Sequence, residues 1–137
     1  MVLKKGLEPK HRWTVAEESE LQFVLESMPK NDIKISLEAF TLNHANYVKP
    51  DISFYINDKL IHTDKKGSGF YNKKIDLVLK KEDITDEVVN LKIKYHDKLK
   101  SPKEVGINTD NRKLGIYIRS ITIEYLNSKG YTIRIII

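Results

Sequence analysis

The sequence predicts an all-β fold: a two-sheet antiparallel β-sandwich, jelly-roll-like, with about eight short strands. Three observations predict it. Apolar and polar residues alternate with a period of two along most of the 137 residues. Helical spacing is almost absent. The alternation is half-polar, so each sheet buries one face only, and two such faces must cover each other. A closed barrel is the alternative closure.

The elements follow in order. Ser19 to Leu25 sets Leu21, Phe23 and Leu25 on one face. Ile33 to Phe40 alternates Ile33, Ile35, Leu37 and Ala39 against Lys34, Ser36 and Glu38. Asp51 to Asn57 alternates Ile52, Phe54 and Ile56 against Ser53 and Tyr55, and Asn57-Asp58 reads as a hairpin turn into Lys59 to His62. Lys74 to Leu79 alternates Ile75, Leu77 and Leu79, and Val89 to Tyr95 alternates Val89, Leu91, Ile93 and Tyr95. From Leu114 to Leu126 the apolar phase changes between Ile118 and Ile121, which predicts a β-bulge near Arg119-Ser120. Tyr131 to Ile137 is a closing strand after a turn over Asn127 to Gly130. Its apolar end suits a central strand, a covered edge or a chain that continues. Only Lys81 to Val88 looks helical, for a turn or two, with Asp83 or Thr85 as cap.

Composition narrows the function classes. The net charge is +5, but the lysine pairs Lys4-Lys5, Lys65-Lys66, Lys73-Lys74 and Lys80-Lys81 are scattered with acids between them. That is the pattern of solvated strand ends and loops, not of the one-faced basic patch a nucleic-acid binder gathers, so no nucleic-acid partner is expected. There is no cysteine, which excludes disulfides, thiolate nucleophiles and thiolate-held zinc. No apolar run approaches the ~20 residues of a transmembrane helix. Met1 to Gly6 carries lysines with no apolar segment behind them, so no signal peptide is expected, and the location expected is cytoplasmic or membrane-peripheral.

No catalytic signature emerges. His11, His44, His62 and His96 show no metal-pair spacing. Gly67-Ser-Gly69 is too short for a phosphate cradle and reads as a hairpin tip. No metal and no cofactor is expected. Asn43, His44, Asn46 and Asp51 form either an ordinary loop of turn-formers or a set of amides and a carboxylate for sugar hydroxyls or calcium. Trp13 is the only tryptophan; it is either an exposed platform for the C–H face of a sugar or a buried indole that seals one end of the sandwich. Tyr47, Tyr55, Phe70 and Tyr71 are further aromatics for a stacking surface. Tyr55 and Asn57 fall on one strand face, opposite Phe54 and Ile56, and pair an aromatic with an amide.

The most specific stretch is Ser101-Pro-Lys-Glu-Val-Gly-Ile-Asn-Thr-Asp-Asn-Arg-Lys-Leu-Gly-Ile116. A polar loop that fixes Pro102, Gly106, Asp110, Arg112 and Gly115 is either a rigid corner or part of a binding surface. Asp110 and Arg112 can pin the corner as an ion pair, or Arg112 can grip a phosphate or carboxylate.

Read together, Trp13 with Glu17 or Glu18, the strand Glu20-Leu-Gln-Phe-Val-Leu25, the hairpin Ile52-Ser-Phe-Tyr-Ile-Asn-Asp58 and the 101–116 motif resemble a small β-sandwich domain of unknown function. That domain is found in bacterial polysaccharide-biosynthesis proteins, beside glycosyltransferase or membrane phosphoglycerol-transferase modules. The similarity runs from about Trp13 to Glu124; Asp58 stands where glycine is usual, Asn108 is offset from a small polar residue, and the tryptophan region is shorter. The resemblance implies a non-catalytic accessory domain in surface-glycan assembly, with residues 1–137 forming one β-sandwich, whole or cut from a larger transferase-type chain. The partners it implies are a glycan or sugar-containing ligand and a catalytic transferase domain. The expected ligand contacts are Trp13, Tyr55, Asn57, Asp110 and Arg112. Two alternatives stand beside it: a structural or oligomerisation module that packs through Ile133 to Ile137, and a carbohydrate-active enzyme using His44, Asp51 and His96.

Overall fold

The computed structural model describes residues 13–125 in full and the backbone of Val2–Lys5 and Thr132–Ile135. The described strands are β1 (Val2–Lys5), β2 (Glu18–Val24), β3 (Ile33–Phe40), β4 (Val48–Lys49), β5 (Ile52–Ile56), β6 (Lys59–Asp64), β7 (Gly67–Ser68), β8 (Lys73–Leu79), β9 (Val88–Tyr95), β10 (Tyr117–Tyr125) and β11 (Thr132–Ile135). They form a five-stranded sheet in the order β1-β2-β9-β5-β6 and a four-stranded sheet in the order β11-β10-β3-β8, with a small β4-β7 ribbon. All the pairings are antiparallel. The chain crosses from sheet to sheet between β2 and β3, β3 and β5, β6 and β8, β8 and β9, and β9 and β10. This winding is that of a jelly roll.

The period-two residues face each other across the sandwich. Leu21, Phe23, Phe54, Ile56, Leu91 and Ile93 from one sheet meet Ile33, Ile35, Leu37, Leu77, Leu79 and Ile121 from the other in one core. Each fully buried side chain of this size stabilises the fold by about 1.5–3 kcal/mol relative to exposure. The expected bulge is present: Ile118 pairs with Ala39 and Ser120 with Glu38, so Arg119 is the extra residue. It lets Ile118 and Ile121 both point inward despite their odd separation. The Asn57-Asp58 turn has both residues at positive φ (50° and 66°), the conformation a two-residue hairpin needs.

Several expectations are corrected. The Lys81–Val88 stretch forms only a 3-10 turn over Lys81–Asp83, and neither Asp83 nor Thr85 caps it. Asp32, from the β2–β3 connection, accepts the Lys81 N–H at 2.8 Å instead. A helix, α1 (Pro102–Val105), stands inside the stretch read as loop. β1 precedes the strand read as the first; of the places open to the closing strand, β11 takes an edge of its sheet. The Asn127 to Gly130 turn and the last two isoleucines lie outside the described residues.

The antiparallel register gathers the segments 13–17, 41–51, 65–72 and 96–116 at one end of the sandwich. Residues 25–32, Asn57-Asp58 and 80–87 lie at the other end.

A polar cleft at the loop end and an aromatic row beside it

The 101–116 segment is built as a rigid wall. Ser101 and Glu104 form a capping box: Ser101 Oγ accepts the Glu104 N–H at 3.1 Å, and Glu104 Oε1 accepts the Ser101 N–H at 3.0 Å. Pro102 fills the first helical position, where no N–H is needed. Gly106 ends the turn in the left-handed region at φ 86°, which side chains resist. Glu104 also takes an ion pair from Lys113. That bond, followed by the Ser101 N–H, holds its carboxyl down at about 2.

Asp110 and Arg112 pin the next corner. Arg112 donates from Nε at 3.0 Å and from Nη2 at 2.7 Å to Asp110 Oδ2, and its backbone N–H donates to Oδ1 at 2.9 Å. These bonds hold the Asp110 carboxyl below the usual carboxylate range. The segment then turns inward at Gly115, where Gly115 N–H donates to the Thr14 carbonyl and Thr14 N–H to the Ile116 carbonyl. Ile116 N–H donates at 2.9 Å to both the Thr14 and the Tyr95 hydroxyls, which also bond each other. Burial pushes the Tyr95 phenol strongly up against the opposing pull of these bonds.

On the other side, the β4-β7 ribbon is anchored by Lys49, which is 2 % exposed. Its ammonium bonds Asp64 Oδ2 at 2.8 Å and the carbonyls of Pro50 and Lys65 at 2.9 and 2.7 Å. Lys73 also pairs with Asp64. Burial alone would raise the Asp64 pKa; the Lys49 and Lys73 bonds outweigh it and hold it low.

Between these two walls lies a cleft of about 630 Å³. Tyr47, Val48, Pro50 and Val105 give it apolar surface, and Asn46, Asp51, Lys66, His96, Asp97, Lys100 and Glu104 give it polar groups. Asp51 Oδ1 accepts the Lys66 N–H, and Asp97 Oδ1 accepts the Lys98 N–H. His96 Nε2 is bonded to Ser53 Oγ at 2.7 Å, which fixes the ring and leaves Nδ1 as its second polar atom. Ser53 is buried beneath it and bonds Thr63 as well, so this serine–histidine contact presents no nucleophile.

Tyr47 is the unusual member. It is 6 % exposed, yet its hydroxyl has no hydrogen-bond partner among the described residues. Those residues also include no fully buried side-chain oxygen or nitrogen left unbonded, so the hydroxyl is not fully buried, and Tyr47 is one of the residues that line the cleft. Burial pushes its pKa up to about 12.

The sequence-predicted contacts divide among several places. Trp13 is half-buried at the loop end, where it packs on the satellite cluster of Leu42, Tyr47, Val105 and Leu114. Its indole meets Phe40 and Tyr117 edge-on, with centroids 5.2 and 5.3 Å away. Asp110 and Arg112 are in the same end loops but bond each other. Tyr55 is on the outer face of the five-stranded sheet, in a shallow depression with Glu18, Asp58, Lys92 and Lys94. Asn57 is at the opposite end, with its amide oxygen accepting the Asn90 N–H at 2.9 Å. From the Asn43–Asp51 set, Asn46 and Asp51 do reach the cleft and are joined there by His96. No group of three or more His, Cys, Asp or Glu residues suited to a metal ion occurs among the described residues. No helix among them is long and apolar enough to cross a membrane.

A scan of the chain against protein-family models finds no match, and no curated protein sequence matches it.

Proposed function

We propose that this chain is a non-catalytic carbohydrate-binding module serving a bacterial surface-polysaccharide enzyme, and that glycan sits in the end cleft. The observation that carries the proposal is Tyr47: a mostly buried side chain that lines a polar cleft and whose hydroxyl makes no hydrogen bond among the described residues. A hydroxyl that is not fully buried and makes no bond within the protein keeps its bonding capacity for whatever meets it from solvent. Water can do so, and so can a sugar hydroxyl.

The rest of the lining suits the same ligand. Sugars present alternating hydroxyl donors and acceptors above small apolar C–H patches. Asn46, Asp51, Lys100 and His96 supply bonds of both kinds, and Tyr47, Val48 and Pro50 supply apolar contact. The volume lies within the ~300–1,000 Å³ range of small-molecule sites. The motif through which the chain resembles polysaccharide-assembly domains builds one wall, contributing Glu104 and Val105. Trp13, Asp110 and Arg112 then act as supports of that wall. The non-catalytic half of the proposal draws on the buried Ser53 and the dispersed histidines.

A titration of the chain with neutral, uronate-bearing and phosphate-bearing oligosaccharides, read by calorimetry, tests it. Weak saturable binding, in the high micromolar to millimolar range, is the expected result for a shallow polar site. No heat with any of the three classes at millimolar ligand would sink the proposal.

A further inference from the structure

The four-stranded sheet carries an aromatic row on its outer face at the loop end. Phe40 on β3 and Tyr117 on β10 are register partners, and their rings stack at 4.6 Å and 20°. Tyr71, from the β7–β8 loop, lies near-parallel to Phe40 with ring centroids 6.5 Å apart at 30°. Trp13 closes the row edge-on, and the Arg119 guanidinium lies over the Phe40 ring at 4.7 Å. The bulge that makes Arg119 the extra residue in β10 brings it to this face.

Tyr71 ends the row. It is 70 % exposed, the most exposed of the large apolar and aromatic side chains among the described residues. A tyrosine so exposed is usually a mobile side chain. This one neighbours a ring that three other groups contact. Its ring lies beside Phe40, and most of its surface is open. The neighbouring strip of the sheet is polar: Glu38 pairs in register with Lys74 on one side and Ser120 on the other, and Ser120 Oγ donates to Glu38 at 3.2 Å.

We propose that the open face of Tyr71 is a second sugar-ring contact, separate from the cleft. The ligand class is taken from the function proposed above. An exposed aromatic face presents apolar area that suits the C–H face of a pyranose, while the adjacent polar strip can meet its hydroxyls. A protein partner fits less well. It needs about 800 Å² on each side with few charges at the centre, and here one open ring stands at the end of a sheet face that carries the Glu38 and Lys74 pair.

The test is an NMR titration of the full chain with a mixture of neutral and uronate-bearing oligosaccharides, following the ring signals of Tyr71, Phe40 and Tyr117 and the cleft signals of Tyr47 and His96. Tyr71→Ala is the paired variant; the exposed ring makes it compatible with folding, checked by the unchanged core methyl spectrum. The expected result is movement of both groups of signals, with loss of the row response and about fivefold weaker apparent affinity in Tyr71→Ala. Movement of the cleft signals alone would overturn the second contact and leave the cleft proposal standing. Movement of the row alone would support the second contact and overturn the cleft. Movement of neither would overturn both.

Discussion

Gly115 lies so close to Tyr95 that a methyl group on its α-carbon would stand 2.5 Å from the tyrosine Cζ. That contact joins the end of β9 to the start of β10 and lets both hydroxyls of the Thr14–Tyr95 pair reach the Ile116 N–H. Gly115→Ala is therefore expected to destabilise the fold by about 1–3 kcal/mol through overpacking. Gly67→Ala, which would meet nothing within 4 Å, is expected to stay within about 0.5 kcal/mol of wild type. Urea denaturation of the two variants side by side measures the difference; equal midpoints would contradict the packing described.

The α1 turn is fixed by its two ends. Ser101→Ala removes the oxygen that accepts the Glu104 N–H and is expected to be destabilising by about 1 kcal/mol. Gly106→Ala forces a side chain into the left-handed region at a similar expense, about 1–2 kcal/mol. Amide hydrogen exchange across 101–107 should accelerate in both variants while β3 and β9 stay protected.

Acid should loosen the same wall first. The Glu104 carboxyl is held below its unfolded value, so its contribution to stability is complete above about pH 4.5 and disappears as pH falls through about 2. Asp110, also held low, acts in the same direction. A pH titration followed by NMR should show 101–116 shifting over this window. In Glu104→Gln the Glu104 part of the shift should vanish.

The buried lysine gives a different kind of sensitivity. Asp64→Ala leaves Lys49 charged and buried with carbonyl partners only, and is expected to destabilise by about 3–5 kcal/mol. Lys49→Met leaves Asp64 its bond to Lys73 and should be milder, about 1–3 kcal/mol. Thermal melts that rank the two variants in the reverse order would contradict this arrangement.

The sandwich was legible because alternation is a local property: Ile33 to Ala39 and Val89 to Tyr95 each declare their buried face without reference to any other strand. The phase change at Arg119 declared the bulge in the same way. Strand order was not legible, since it depends on which apolar faces meet across the chain. The α1 turn did carry a signal, the Ser-Pro-Lys-Glu capping box, but four residues are too short for helical periodicity to show. The cleft was legible only in fragments. Asn46 and Asp51 stood out as loop polars, whereas Tyr47 read as one aromatic among several. Its burial is a consequence of tertiary packing with Leu42, Val105 and Leu114. Tyr55 lies on β5, but Asn57 falls past its end in the hairpin turn at positive φ, so the two do not share a strand face, and the antiparallel register carries both away from the loop end.

Tyr47→Phe tests the central claim most directly. It deletes one oxygen that makes no hydrogen bond within the described residues, so the melting temperature should hardly move. If that hydroxyl meets glycan, affinity for the oligosaccharide that binds wild type should fall by about three- to tenfold, the equivalent of one neutral hydrogen bond. Unchanged affinity at unchanged stability would contradict glycan binding through Tyr47 in the end cleft.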